Sequence, residues 1–117
     1  RPSAATQRLA LRERIKRHVA QRLADPALSV HEIAYALGCS RRHLYNAFAG
    51  ESDGVAGYIL GERLEACRRD LADPAAASRP VTDIALARGF GNLAYFSRVF
   101  KARYGLAPRE YRASAVR

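Results

Sequence analysis

Arg42 and Asn46 stand four residues apart in Ser40-Arg41-Arg42-His43-Leu44-Tyr45-Asn46, so on a helix they share one face, with Tyr45 beside them. A guanidinium fork matches the two acceptors on the edge of guanine, and a side-chain amide matches the donor and acceptor of adenine. That face therefore has the chemistry to read base edges in a major groove. Ser40 and Arg41, at the start of the segment, suit phosphate oxygens. The other reactive side chains form no comparable grouping. His18, His31, His43, Cys39 and Cys67 lack dense metal-ligand spacing, although Cys39 and His43 lie four apart across a helix start, and no metal is expected. No Ser/His/Asp or Cys/His set, carboxylate pair or phosphate-cradling glycine loop is placed for catalysis, so neither an enzyme nor a bound cofactor is expected.

The elements that must position this face are written in local signals. Leu9, Leu11, Ile15, Val19 and Leu23 recur at near-helical spacing between about Thr6 and Ala24, with Arg8, Arg12, Arg14, Lys16, Arg17 and Arg22 filling most of the rest. This predicts a long basic helix ended by Asp25-Pro26. Ser29 followed by Glu32 is a reciprocal capping box that opens a short helix over Val30 to Leu37. Gly38 stops it, and Ser40 caps a second helix that carries Leu44 and Phe48 to about Ala49. Two short helices joined by a glycine turn are a helix-turn-helix pattern.

After a loop from Gly50 to Gly54, a longer helix is predicted from Val55 to about Ala72, with Tyr58, Ile59, Leu60, Leu64, Cys67 and Leu71 inward. At 1.5 Å per residue it would span roughly 27 Å, on the scale of one DNA turn. Asp73-Pro74 ends it, and Ala75 to Pro80 reads as a linker. The remainder is expected as a short helix over Val81 to Arg88 stopped by Gly89, one capped by Asn92 and running to about Tyr104, and a last one from Pro108 through Arg112.

An internal repeat joins the two halves. At an offset of 51, Val30, Ile33, Ala34, Ala36 and Gly38 fall on Val81, Ile84, Ala85, Ala87 and Gly89, with Glu32 on Asp83. One residue inserted in the turn brings Leu44 and Phe48 onto Phe96 and Phe100. The alanines are expected to let helices cross closely and the glycines to take the left-handed conformation of the turn. Ile33, Leu37, Leu44, Phe48, Ile84, Phe90, Phe96 and Phe100 are read as core. The fold class is accordingly all-α, with seven helices and two helix-turn-helix subdomains of homeodomain-like, three-helix form. The expected organisation is residues 1–54 as the basic first helix and first lobe, 55–72 as the linker helix, and 73–117 as the second lobe.

Charge agrees with a polyanionic partner. The 117 residues carry a net charge of +9, from 18 Arg and 2 Lys against 11 acidic residues. Residues 1–28 hold seven basic and two acidic side chains, as do 81–117, while 33–50 and 84–109, the two candidate reading segments, hold no acid at all. The apolar half of the composition excludes a disordered polyelectrolyte. No stretch has the length and apolarity of a spanning helix and no signal-peptide pattern opens the chain, so a membrane role is not expected. Two isolated cysteines suit buried thiols in a reducing cytoplasm. A chain without methionine that begins at Arg1 is expected to be a fragment of something longer.

These residues together resemble the DNA-binding domain of the AraC/XylS family of bacterial transcriptional regulators. The resemblance covers roughly Ala5 to Arg112. Its most specific parts are Arg63-Leu64, Val81-x-x-Ile84-Ala85-x-x-x-Gly89-Phe90, Tyr95-Phe96-Ser97-Arg98-x-Phe100-Lys101 and Gly105-x-x-Pro108-x-x-Tyr111-Arg112. It implies two helix-turn-helix lobes held by the middle helix and set in successive major grooves on one face of the DNA. It also implies a C-terminal position behind a sensor or dimerisation domain, through which a full-length protein would dimerise while this domain stays monomeric. Three departures stand out: Cys67 where the family usually has Ala, Asp70 where it often has Leu, and a loop from Gly50 to Gly54 one residue shorter than common.

In a helix-turn-helix the second helix enters the major groove, and its outward N-terminal residues reach base edges. The first lobe then nominates Arg42, Tyr45 and Asn46 as readers, with Ser40 and Arg41 nearer the backbone. The second lobe nominates Leu93, Ala94, Ser97 and Arg98, with Asn92, Tyr95 and Lys101 on phosphates. Leu93 and Ala94 offer only apolar contact, such as a thymine methyl, so this lobe is expected to read fewer bases and hold more backbone. The expected function is sequence-specific binding of double-stranded promoter DNA in transcriptional activation, with RNA polymerase as a second partner. The competing reading is a basic helical module that docks polymerase or an acidic protein and has little DNA affinity of its own.

Overall fold

A computed structural model describes residues 2–51 and 53–115. Among these residues there are seven α-helices and no strand: α1 Ala4–Arg22, α2 Val30–Leu37, α3 Arg41–Ala47, α4 Gly54–Ala72, α5 Val81–Ala87, α6 Leu93–Tyr104 and α7 Pro108–Ala115, with a short 3-10 helix at Pro74–Ala76. The chain packs as two units, Arg1–Leu60 and Gly61–Arg117, and the boundary falls inside α4.

In the first unit, α1 starts two residues earlier than its apolar spacing suggests. Ser3 caps it by accepting from the Thr6 amide at 3.1 Å. Its buried stripe is Ile15 and Val19, flanked by the half-buried Leu11 and Leu23. Leu9, expected inward, is 58 % exposed. It precedes Leu11 by two residues, about 200° round the helix, and so lies off the stripe. The Ser29 hydroxyl accepts from the Glu32 amide at 3.1 Å, but the reciprocal half of the capping box is replaced. Both Glu32 carboxylate oxygens lie 3.0–3.1 Å from His18 Nε2 on α1 and tie α2 to that helix instead. Ile33, Leu44, Phe48, Val55 and Ile59 close the core with Ile15 and Val19, while Leu37 and Cys39 are only partly buried.

The second unit repeats the helix-turn-helix backbone. Gly38 has φ +66° and Gly89 φ +95°. The amide after each glycine donates back over the turn with the same length, Cys39 to Ala34 and Phe90 to Ala85, both 3.0 Å. A residue with a Cβ is disfavoured at that φ, which is why the repeat keeps glycine at both places. The extra residue of the second turn is Gly91, and it moves the cap of the next helix from offset 51 to 52. Ser40 accepts from His43 N at 3.1 Å, and Asn92 Oδ1 from Tyr95 N at 2.9 Å. The repeat fails at one cap, because Ser29 corresponds to Pro80, which gives α5 no side-chain acceptor. Ala34 and Ala85 are buried as close-crossing residues should be, whereas Ala36 and Ala87, expected to do the same, are exposed.

The cement of the second unit differs from that of the first. Rings replace aliphatic side chains: Phe96 lies 4.8 Å from Phe90 and 5.7 Å from Phe100, which in turn lies 4.7 Å from Tyr104 and 5.6 Å from Tyr111. The C-terminal half of α4 supplies Leu64, Ala66, Cys67 and Leu71 to this core, all buried. Burial, then the neighbouring Asp70 charge, pushes the Cys67 thiol up to about 12, so it packs as a small apolar group. Asp70 is an anchor: its carboxylate takes Arg88 Nε at 2.8 Å and Nη2 at 2.9 Å and fixes the end of α5 against α4. Those hydrogen bonds hold the Asp70 carboxyl below its ordinary range.

Candidate nucleic-acid interface

α3 is seven residues long, and its inner face is taken by Leu44 and Ala47, which are fully buried. That leaves Arg41, Arg42, Tyr45 and Asn46 outward, all exposed, with Tyr45 at 57 %. No carboxylate pairs with Arg41 or Arg42 among the described residues. The Ser40 hydroxyl is occupied by the His43 amide and lies 3.2 Å from His43 Nδ1, so it is first a helix cap. On the first unit the residues singled out by sequence thus come together on one acid-free surface.

On α6 the inner face is Phe96 and Phe100. Ala94, Ser97, Arg98 and Lys101 are exposed, as is Asn92 before them, whereas Leu93 is half-buried and presents less of itself than its position suggests. Tyr95 is 39 % exposed, and the Arg98 guanidinium lies 5.7 Å from its ring centroid. That cation–π contact restrains the arginine over the start of α6. Behind this face, Glu65 on α4 gathers Arg68 Nε at 2.9 Å and the Tyr104 hydroxyl at 3.1 Å, and Arg68 reaches the Tyr111 hydroxyl at 2.9 Å. The Arg68 hydrogen bonds, helped by Tyr104, pull the Glu65 carboxyl down to about 2 against the opposing effect of desolvation.

Two features escape sequence reasoning. Tyr35 on α2 is 87 % exposed and Leu86 on α5 is 53 % exposed. They occupy the same place in the repeat, 51 residues apart, and the repeat offset was the signal that could have found them. The second feature lies beside α3, where Arg8 and Arg12 of α1 line a polar cleft of about 340 Å³ with Asn46 and Ala49. The apolar spacing of the first helix predicts a long basic helix, but it does not say which of its arginines meets α3. Among the described residues no group of three or more His, Cys, Asp or Glu side chains could hold a metal ion, and no helix is long and apolar enough to cross a membrane.

Two lobes, each with a capped second helix set outward behind a left-handed glycine turn, define a helix-turn-helix protein. A helix-turn-helix domain model matches residues 34–114, and a homeodomain-like model matches 10–57. The chain belongs to the helix-turn-helix domain family of the AraC/XylS type, a family of DNA-binding transcription regulators. It is 35 % identical over 103 residues to the transcriptional activator RhrA of Rhizobium meliloti, covering 87 % of this chain and 32 % of that protein. To the XylDLEGF operon transcriptional activator of Pseudomonas putida it is 32 % identical over 102 residues, 86 % of this chain and 29 % of the other. The chain thus spans about a third of the length of the curated relatives it matches.

Among solved structures, it resembles a transcriptional regulator with an AraC-type DNA-binding domain from Chromobacterium violaceum. The TM-score there is 0.72 at 28 % identity, over 92 % of this chain and 97 % of that one. The C-terminal domain of the two-component response regulator yesN from Fusobacterium nucleatum shares the fold, with a TM-score of 0.78 at 23 % identity over 88 % and 98 % of the two chains.

Proposed function

We propose that this chain binds double-stranded promoter DNA sequence-specifically, with α3 and α6 as the two major-groove helices, and that it serves transcriptional activation. The observation that carries the reading is the duplicated turn, whose matched glycines and caps hold an outward, acid-free helix in each lobe. In the first lobe Arg42 and Asn46 read bases, Tyr45 packs beside them, and Ser40 and Arg41 face the backbone. In the second, Ala94, the accessible part of Leu93, Ser97 and Arg98 approach the groove, while Asn92, Tyr95 and Lys101 take phosphates. The bound unit is one copy of this chain, acting in a cytoplasmic regulator.

RNA polymerase is the second proposed partner. Selection of bound sites from random duplexes tests the main reading. Two half-sites about one helical turn apart are expected, and a single isolated site would contradict docking by both lobes. Affinity for the selected duplex should fall steeply between about 50 and 200 mM salt. A flat salt response would favour a protein partner over DNA.

A further inference from the structure

We propose that the cleft between α1 and the end of α3 holds one DNA backbone phosphate, with Arg8 supplying the charge; this rests on the DNA-binding reading above. Arg8, Arg12 and Lys16 follow one another at four-residue steps and so form one edge of α1. The inner two are committed. Arg12 donates from Nε to the Ala47 carbonyl at 2.6 Å, from Nη2 to the Ala49 carbonyl at 3.3 Å and from Nη1 to Glu51 at 3.4 Å, with its guanidinium 5.6 Å from the Phe48 ring centroid. Lys16 lies 3.7 Å from Glu51 and 5.3 Å from the Tyr58 ring centroid. Glu51 therefore pairs with both of these cations, offsetting one of their two charges, whereas Arg8, exposed at the outer end of the row, has no ion pair among the described residues.

Arg8 and Arg12 line the cleft of about 340 Å³ together with Asn46 and Ala49. The carbonyls that end α3 are acceptors, and bare acceptors would repel a phosphate. Arg12 occupies those of Ala47 and Ala49 and so removes that repulsion. What remains in the cleft is the Arg8 cation and a net positive field, since Arg8, Arg12 and Lys16 outweigh the one carboxylate of Glu51. Because Asn46 belongs to the outward face of α3, an anion there lies beside the reading helix. The phosphodiester flanking the bases that α3 reads is the occupant that follows. Arg12 is the positioning residue and Arg8 the contact.

The test is a titration of the chain against its selected duplex and a scrambled one over a range of salt. Arg8→Gln should weaken binding to both duplexes alike, roughly three- to tenfold, and lower the slope of log affinity against log salt by about 0.9, the share of one phosphate. Arg8→Lys should restore most of both. Replacing phosphates one at a time by uncharged methylphosphonates should reveal one position whose neutralisation weakens the wild type but not Arg8→Gln. Wild-type affinity and slope in a folded Arg8→Gln variant would overturn the proposal, as would a methylphosphonate scan in which no position separates the wild type from Arg8→Gln. If the wild type fails to distinguish selected from scrambled duplex, the base-reading assignment fails while the Arg8 result still stands.

Discussion

In the first lobe the turn is backed by an aliphatic core with one phenylalanine, and the end of its reading helix is held by an arginine from α1. In the second lobe the same turn is backed by a run of five rings, and a carboxylate and an arginine of α4 bond the tyrosines of α6 and α7. The backbone device is common to both, down to the 3.0 Å hydrogen bond across each glycine. The comparison teaches that a helix-turn-helix is specified by its turn and caps, whereas its packing is interchangeable provided the volume is filled. The exposed faces diverge too: Arg41, Arg42, Tyr45 and Asn46 in one lobe correspond to a half-buried Leu93, an Ala94, a Ser97 and an Arg98 set over Tyr95 in the other.

The largest effect should come from the ring cluster. Phe100 is fully buried and meets three other rings, whereas Phe48 meets one, Tyr58 at 5.5 Å. Phe100→Ala is expected to cost about 3–5 kcal/mol in urea unfolding, and Phe48→Ala about 1 kcal/mol less because fewer aromatic pairs are lost. A larger cost at Phe48 would break the contrast between the two cores.

Next comes the difference in reading. Arg42→Ala should cost ~1–3 kcal/mol on the selected duplex and relax preference at one base pair, whereas Lys101→Ala should weaken selected and scrambled duplexes equally. Equal losses on both duplexes for Arg42→Ala would remove its base-reading role and make the lobes alike.

The smallest effect is electrostatic. The Glu65 carboxyl is depressed from 4.5 to about 2 by its Arg68 hydrogen bonds, so it is ionised in the folded state where the unfolded chain already takes up a proton. Its stabilisation is fully present above pH 4.5 and is lost as the pH falls toward 2. With about a third of the side chain exposed, solvent screening limits it to about 1 kcal/mol. Unfolding midpoints followed from pH 6 down to about 2 should fall less steeply for Glu65→Gln than for the wild type. Parallel curves would show that the cluster contributes nothing in the second lobe.

Most of the architecture was legible because its signals are local. A serine or asparagine cap bonds an amide three residues on, a left-handed glycine ends a helix in place, and apolar spacing selects a face. Ser40, Asn92, Gly38 and Gly89 all act where the sequence put them, and the outward face of α3 follows from the burial of Leu44 alone. Leu9 and Glu32 show the limit. Leu9 is apolar without belonging to the stripe, and Glu32 had two acceptable partners, of which the nearer in sequence was not the one taken.

The sequence by itself determined the helices, their caps, the repeat and the outward residues of α3, since each depends on neighbours within about one or two turns, whereas α1 and α7 run a few residues beyond their expected ends and Leu93 of α6 is half-buried. Only the tertiary structure decided that Arg12 caps the end of α3, that Asp70 anchors Arg88, that Glu65 collects Arg68 and Tyr104, and that Arg8 lines one cleft with Asn46. Arg12 and Ala47 are 35 residues apart, Asp70 and Arg88 are 18, and Glu65 and Tyr104 are 39. Long polar side chains carry no periodicity, and their partners are fixed only when the helices that bear them pack.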